Sequence, residues 1–205
     1  MIGIINYGLG NVQAIENVYK RLLISVKIVE SAGELKNCTK LILPGVGAFD
    51  HAMLEFEKSG MRPDISELVI NKNIPLLGIC VGMQMLASSS EEGACQGLSW
   101  VPGRVRSLKN LMTDKRLPLP HMGWNDVAVK TDSPLFKGLE NQSRFYFLHS
   151  FYFECEKQEN IAAEVEYGSN FTCAVLNKNI FGVQFHPEKS HQFGVTLLKN
   201  FAELC

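Results

Sequence analysis

Neither sign of charge is in excess in this chain. Twenty lysines and arginines stand against 21 aspartates and glutamates, a formal charge of −1. No basic field therefore exists to attract nucleic acid or an anionic membrane surface. No apolar run reaches the length needed to cross a bilayer, and the N-terminus lacks the basic flank and long apolar core of a signal peptide. The six cysteines (Cys38, Cys80, Cys95, Cys155, Cys173 and Cys205) contain no C-x-x-C pair and no His/Cys metal spacing. With nothing to indicate secretion, free thiols in a reducing cytoplasm are expected rather than disulfides. Internal repeats, low-complexity tracts and linkers are also missing. What remains is 205 residues, 46% hydrophobic and 20% charged. A single domain spanning 1–205 with a substantial core is expected.

The first half alternates two periodicities. Short apolar runs at 2–5, 26–29, 40–44 and 74–79 read as buried strands, too brief to be helices. Between them lie helical patterns. One follows Asn11, a potential cap, with Val12, Ile15, Tyr19 and Leu22 on one face; others cover 50–58 and 63–71. Such alternation predicts an α/β fold, a mostly parallel sheet flanked by helices. The second half is strand-rich, with runs at 100–107, 125–129, 144–155, 161–166, 171–176 and 180–185 between Gly and Asn turns. It reads as an extension of the same sheet, with 117–124 a proline-interrupted loop. A closing helix carries Phe193, Leu197 and Phe201 on one face.

Two glycine turns end strands. Gly8-Leu9-Gly10 precedes a helix and invites a dinucleotide reading, but position 13 is Gln where that fingerprint needs its third glycine. Pro44-Gly45-Val46-Gly47 could let backbone amides approach a ligand, or could be a plain turn.

The most informative stretch is Gly78-Ile79-Cys80-Val81-Gly82. A buried strand runs into Cys80 and a helical segment, 81–88, follows at once. This Gly-x-Cys-x-Gly pattern is the cysteine form of a nucleophile elbow, where side chains at the flanking positions would collide. A helix N-terminus would favour the thiolate, and the Val81 amide would face an oxyanion formed on attack. Alone, Cys80 could equally be a small buried hydrophobe. A base arrives much later, in Gln184-Phe185-His186-Pro187-Glu188. Pro187 biases His186 towards an extended backbone, and the two-residue period then places His186 and Glu188 on one side. His186 can take the thiol proton and return it to a leaving amine, and Glu188 can orient the ring.

These motifs, with Tyr7–Asn11, 43–49, 102–105, Pro120-His121-Met122-Gly123-Trp124-Asn125 and 146–150, resemble the class I (triad) glutamine amidotransferases. Within that family the resemblance points to the glutaminase subunits of imidazole glycerol phosphate synthase. The elbow and His-Pro-Glu mark the family at large, and 120–125 the branch. The resemblance implies that Cys80 attacks the side-chain amide of L-glutamine to form a glutamyl thioester, with His186 and Glu188 completing the triad. Val46, Gly47 and Val81 would form the oxyanion hole, and Gln84, Glu92, His149 and Ser150 would hold glutamine. Ammonia would pass to a (β/α)8-barrel cyclase/synthase subunit, forming a heterodimer that makes imidazole glycerol phosphate and AICAR in histidine biosynthesis. That barrel would dock over Asn11, His121, Met122, Gly123, Trp124 and Lys189. No metal or organic cofactor is implied.

Asn6, Phe151 and His191 depart from the family pattern without touching the triad, so they bear on partner identity. A paralogue feeding ammonia to sugar amidation in surface-polysaccharide synthesis would carry the same motifs. A cysteine peptidase or esterase could use the same elbow, but it would need a substrate groove.

Overall fold

Every residue of the first strand is buried, as a strand covered on both faces requires. The computed structural model describes residues 1–114, 116–139 and 143–205. Eleven strands lie among them: β1 (Ile2–Ile5), β2 (Val26–Val29), β3 (Lys40–Gly45), β4 (Leu76–Cys80), β5 (Gly103–Ser107), β6 (His121–Val129), β7 (Ser143–His149), β8 (Phe151–Cys155), β9 (Ile161–Glu166), β10 (Asn170–Asn177) and β11 (Ile180–Val183). The α-helices are α1 (Val12–Arg21), α2 (Phe49–Lys58), α3 (Arg62–Ser66), α4 (Val81–Gln84), α5 (Leu108–Leu111) and α6 (His191–Leu204).

Nine strands form one sheet in the order β2-β1-β3-β4-β11-β10-β9-β6-β7. Its first half is parallel, from β2 through β11, and its second half is antiparallel, from β11 through β7. The expected α/β fold is present, as a mixed sheet divided about evenly between the two pairings. Strand β11 joins the halves. It forms a hairpin with β10 yet runs parallel to β4, with Val183 opposite Ile79. Chain leaving β4 and chain leaving β11 therefore emerge side by side at one edge, where ligands gather in such sheets.

The strand-rich half is not wholly an extension of the main sheet. The run 144–155 breaks at Ser150, and β8 leaves the plane to pair with β5 in a separate two-stranded sheet. In the other direction, β6 begins at His121, so much of the apparent loop at 117–124 is strand paired with β7. Prolines at 118 and 120 stop short of the ladder, which is why the strand can start there. Helix α4 is one turn long, ending at Gln84 rather than running to Ser88. Residues 62–71 are helical throughout, but α3 passes into a π-turn at Glu67–Asn71. Asn11 precedes α1 without a capping side-chain bond.

Helix α6 is tied down along its C-terminal half. Tyr19 of α1 donates to the Leu198 carbonyl (3.0 Å), and Lys40 donates to the Phe201 carbonyl (2.9 Å). Among the described residues no helix is long and apolar enough to cross a membrane.

Candidate active site

Cys80 ends β4 with φ +56° and ψ −114°. A side chain held in that region costs of order 1–3 kcal/mol, which the surrounding structure must impose. Glycine on either side allows it. A Cβ at Gly82 would lie 1.9 Å from the Leu43 oxygen, and one at Gly78 would lie 2.7 Å from the Gly82 oxygen. The sharp turn anticipated from the glycine spacing is therefore present. Cys80 stands at the N-terminus of α4, as expected, although that helix is one turn long.

His186 lines the same cavity as Cys80, and its pKa responds to the neighbouring sulfur. Its Nδ1 lies 2.9 Å from Glu188 Oε1. Burial works against a charged ring, but the bonds to Cys80 and Glu188, with their negative charge, overcome it and raise the His186 pKa to about 10. His186 has an extended backbone, as Pro187 led us to expect, but Glu188 reaches it through a 3-10 turn at Pro187–Lys189. The His186 amide donates to the Tyr146 carbonyl (2.9 Å), and its carbonyl accepts from Ser190 Oγ (2.6 Å). The ring is anchored from both sides of its backbone.

A cavity of about 320 Å³ opens over the sulfur. Val46, Gly47, Cys80, Val81, Gln84, Glu92, His149, Ser150 and His186 all line it. Gly45 is the β3 partner of Cys80, so Val46 and Gly47 stand just beyond the sulfur, with Gly47 at φ +86°. One Glu92 oxygen is already occupied, accepting from the Phe49 amide at the start of α2 (2.8 Å). Gln84 Nε2 donates to Gln184 Oε1 (3.0 Å) and to the Phe151 carbonyl (3.3 Å).

The residues expected on a partner face divide. Asn11 and Lys189 are exposed, Met122 and Trp124 are 62% and 42% exposed, and Gly123 is half-buried. Lys189 also lines the cavity. His121 is 2% exposed and cannot touch a partner. Alternation along β6 turns it inwards when Met122 turns out. It is stacked between Tyr167 (4.0 Å) and Phe147 (4.7 Å), and its Nδ1 meets His149 Nε2 at 3.0 Å.

The family model for class-I glutamine amidotransferases matches residues 3–204. The chain belongs to the class-I glutamine amidotransferases. Among its relatives, the imidazole glycerol phosphate synthase subunit HisH of Bdellovibrio bacteriovorus is 59% identical, and that of Leptospira interrogans 53%, each over the whole of both chains. The subunit HisH 2 of Pseudomonas aeruginosa is 45% identical, also over both full lengths. The fold resembles a glutamine amidotransferase crystal structure (20% identity, TM-score 0.70, 97% of this chain and 98% of that one). It also resembles PurLQS from Thermotoga maritima (16% identity, TM-score 0.74, 98% and 96%).

Two polar side chains of this glutamine amidotransferase, Gln184 and Tyr7, had no role in the sequence reading, and neither did the contact between His121 and His149. Gln184 is fully buried beside Cys80, its Nε2 3.8 Å from the sulfur. Its signal was a polar residue inside an apolar run, which a buried strand tolerates only with partners. Tyr7 donates to the Pro44 carbonyl (2.8 Å) next to the glycine turn. The His121–His149 contact joins positions that no local pattern connects.

Proposed function

We propose that this glutamine amidotransferase hydrolyses L-glutamine to glutamate and ammonia at Cys80. The observation that carries the reading is the Cys80–His186–Glu188 line at the floor of a cavity sized for one amino acid. Sulfur attacks the side-chain amide carbon, and the developing oxyanion is received by the Val81 amide with that of Val46 or Gly47. His186, protonated, gives its proton to the leaving nitrogen, and ammonia departs from a glutamyl thioester. Neutral His186 then takes a proton from water, which attacks the thioester and frees glutamate and the thiol. Glu188 holds the ring by Nδ1 throughout. Gln84, Glu92, His149 and Ser150 surround the remainder of the substrate. This reading involves no metal or cofactor.

The relatives' names support a place in imidazole glycerol phosphate synthase and histidine biosynthesis; on this reading the ammonia passes to a (β/α)8-barrel subunit. Exposed apolar side chains support docking there: Val46 and Leu148 line the cavity, Met122 is paired with Leu148, and Trp124 lies two residues further along β6. Such clustering is unusual on a surface meant for water. The departures from the family pattern leave this reading standing. Phe151 uses its carbonyl, not its ring, towards Gln84 and His149. Asn6 donates to Glu30 (2.9 Å), and His191 stacks flat on Trp124 at 5.1 Å. All six cysteines are free, which suits a reducing cytoplasm.

Two measurements test the reading. Cys80→Ala should abolish glutamine hydrolysis while leaving the fold and partner binding intact; activity surviving in the purified variant overturns it. Expressed with its own barrel partner in a strain lacking this subunit, the chain should restore growth without histidine. A soluble, glutamine-hydrolysing complex that fails to do so would point to the sugar-amidation role instead.

A further inference from the structure

Gln184 sits where the register of the two parallel strands puts it. Val183 of β11 pairs with Ile79 of β4, so the next residue on each strand is Gln184 beside Cys80. Its side chain is wholly buried, and its Nε2 lies 3.8 Å from Cys80 Sγ. Which end of that amide faces the sulfur follows from the hydrogen bonds behind it. The Phe151 carbonyl can only accept, so the group of Gln84 that meets it at 3.3 Å is the NH2. The same nitrogen meets Gln184 at 3.0 Å, so Gln184 presents its oxygen there. Its NH2 must then face the sulfur. Gln84 thus donates to both the Phe151 carbonyl and Gln184, and Gln184 donates to Cys80, with no alternative flip that avoids opposing two donors or two acceptors.

We propose that Gln184 is a second catalytic partner of Cys80, donating a hydrogen bond that stabilises negative charge on the sulfur alongside His186. The proposal rests on Cys80 being the nucleophile. Its physical basis is burial: no water can reach this side of the sulfur to replace the amide, so the donor is irreplaceable from solvent. The same arrangement spends Gln84's nitrogen inside the protein. Gln84 therefore keeps only its carbonyl oxygen for the cavity, an acceptor suited to an amide NH2 and unsuited to a carboxylate. The titratable groups near Cys80 are His186, with Glu188 behind it, and Tyr7, while Glu92, His149 and Lys189 line the same cavity.

The test is the pH dependence of Cys80 alkylation by iodoacetamide in the full chain, with Cys80→Ala as the blank for the other five thiols. Gln184→Met keeps the volume and removes the donor. It should move the alkylation midpoint upward by about one pH unit, slow alkylation near neutrality about tenfold, and lower kcat more than it raises KM. Gln184→Asn, whose amide is one methylene short of the sulfur, should do the same and serves if the methionine variant does not fold. An unchanged alkylation profile in a folded variant overturns the role of Gln184, as does a rise in KM alone. Wild-type Cys80 that alkylates no faster than the other thiols overturns the nucleophile reading itself, and this proposal with it.

Discussion

His121 Nδ1 and His149 Nε2 face each other at 3.0 Å in the interior, and the hydrogen bonds around them define both tautomers. The Phe151 carbonyl takes the proton of His149 Nδ1 (2.8 Å), so His149 Nε2 accepts and His121 Nδ1 donates. Asn125 Nδ2 closes the line on His121 Nε2 (3.3 Å). A proton added to either ring has no acceptor, so both must stay neutral. Burial lowers His121 to about 4. Burial also lowers His149 to about 3, opposed by the Phe151 carbonyl and assisted by His121 and His186.

The sign of the acid response follows. Unfolded histidines bind protons near pH 6.5, and these two do so only near 4 and 3 when folded. The unfolded chain takes up more protons as pH falls through that window, so stability from this pair is full above about 6.5 and declines towards 4 and below. His121→Phe keeps the stack on Phe147 and Tyr167 but leaves His149 Nε2 without its donor. It should cost about 1–3 kcal/mol at pH 7 in chemical denaturation and flatten the acid limb of the stability profile. An acid limb identical to wild type would remove the pair from this role.

His186 responds oppositely. Its folded pKa is raised, so its contribution is complete below about 6.5 and is lost as pH rises towards 10. His186→Asn should lower glutamine turnover at least about 10²-fold. Ammonium salt supplied to the complex bypasses this site, so synthase activity should persist. Equal loss of ammonia-dependent activity would make His186 structural.

Gly82→Ala places a methyl group 1.9 Å from the Leu43 backbone oxygen, which no side-chain rotation can relieve. The elbow must then open and carry Cys80 away from His186. The expected outcome is loss of rapid Cys80 alkylation together with glutaminase activity, read by iodoacetamide labelling. Retention of both would show the turn to be pliable.

The chain alone should hydrolyse glutamine poorly. In the proposed mechanism the oxyanion donors would come partly from Pro44–Gly47, where Gly47 has φ +86° and open space around it. A turn so free can populate several orientations, and a docked partner with its ligand can select the productive one. Steady-state glutaminase assays with and without the barrel subunit check this. Full rates from the chain by itself would refute the gating.

What the sequence alone determined is what local sterics determine. Gly78 and Gly82 around Cys80 define a turn that few other residues permit, and the two periodicities separate the helical half from the strand-rich half. Met122 and Trp124 reach the surface as expected, whereas His121 follows strand alternation inwards, which required knowing that β6 starts at that residue. Only the tertiary structure decided the rest. Whether β11 enters beside β4 is a matter of long-range pairing, and that choice alone brings Gln184 and His186 to a sulfur about a hundred positions earlier. The break at Ser150 likewise separates β8 from β7 and turns the Phe151 carbonyl to Gln84 and His149, because sheet pairing and core packing override what a continuous apolar run would favour by itself.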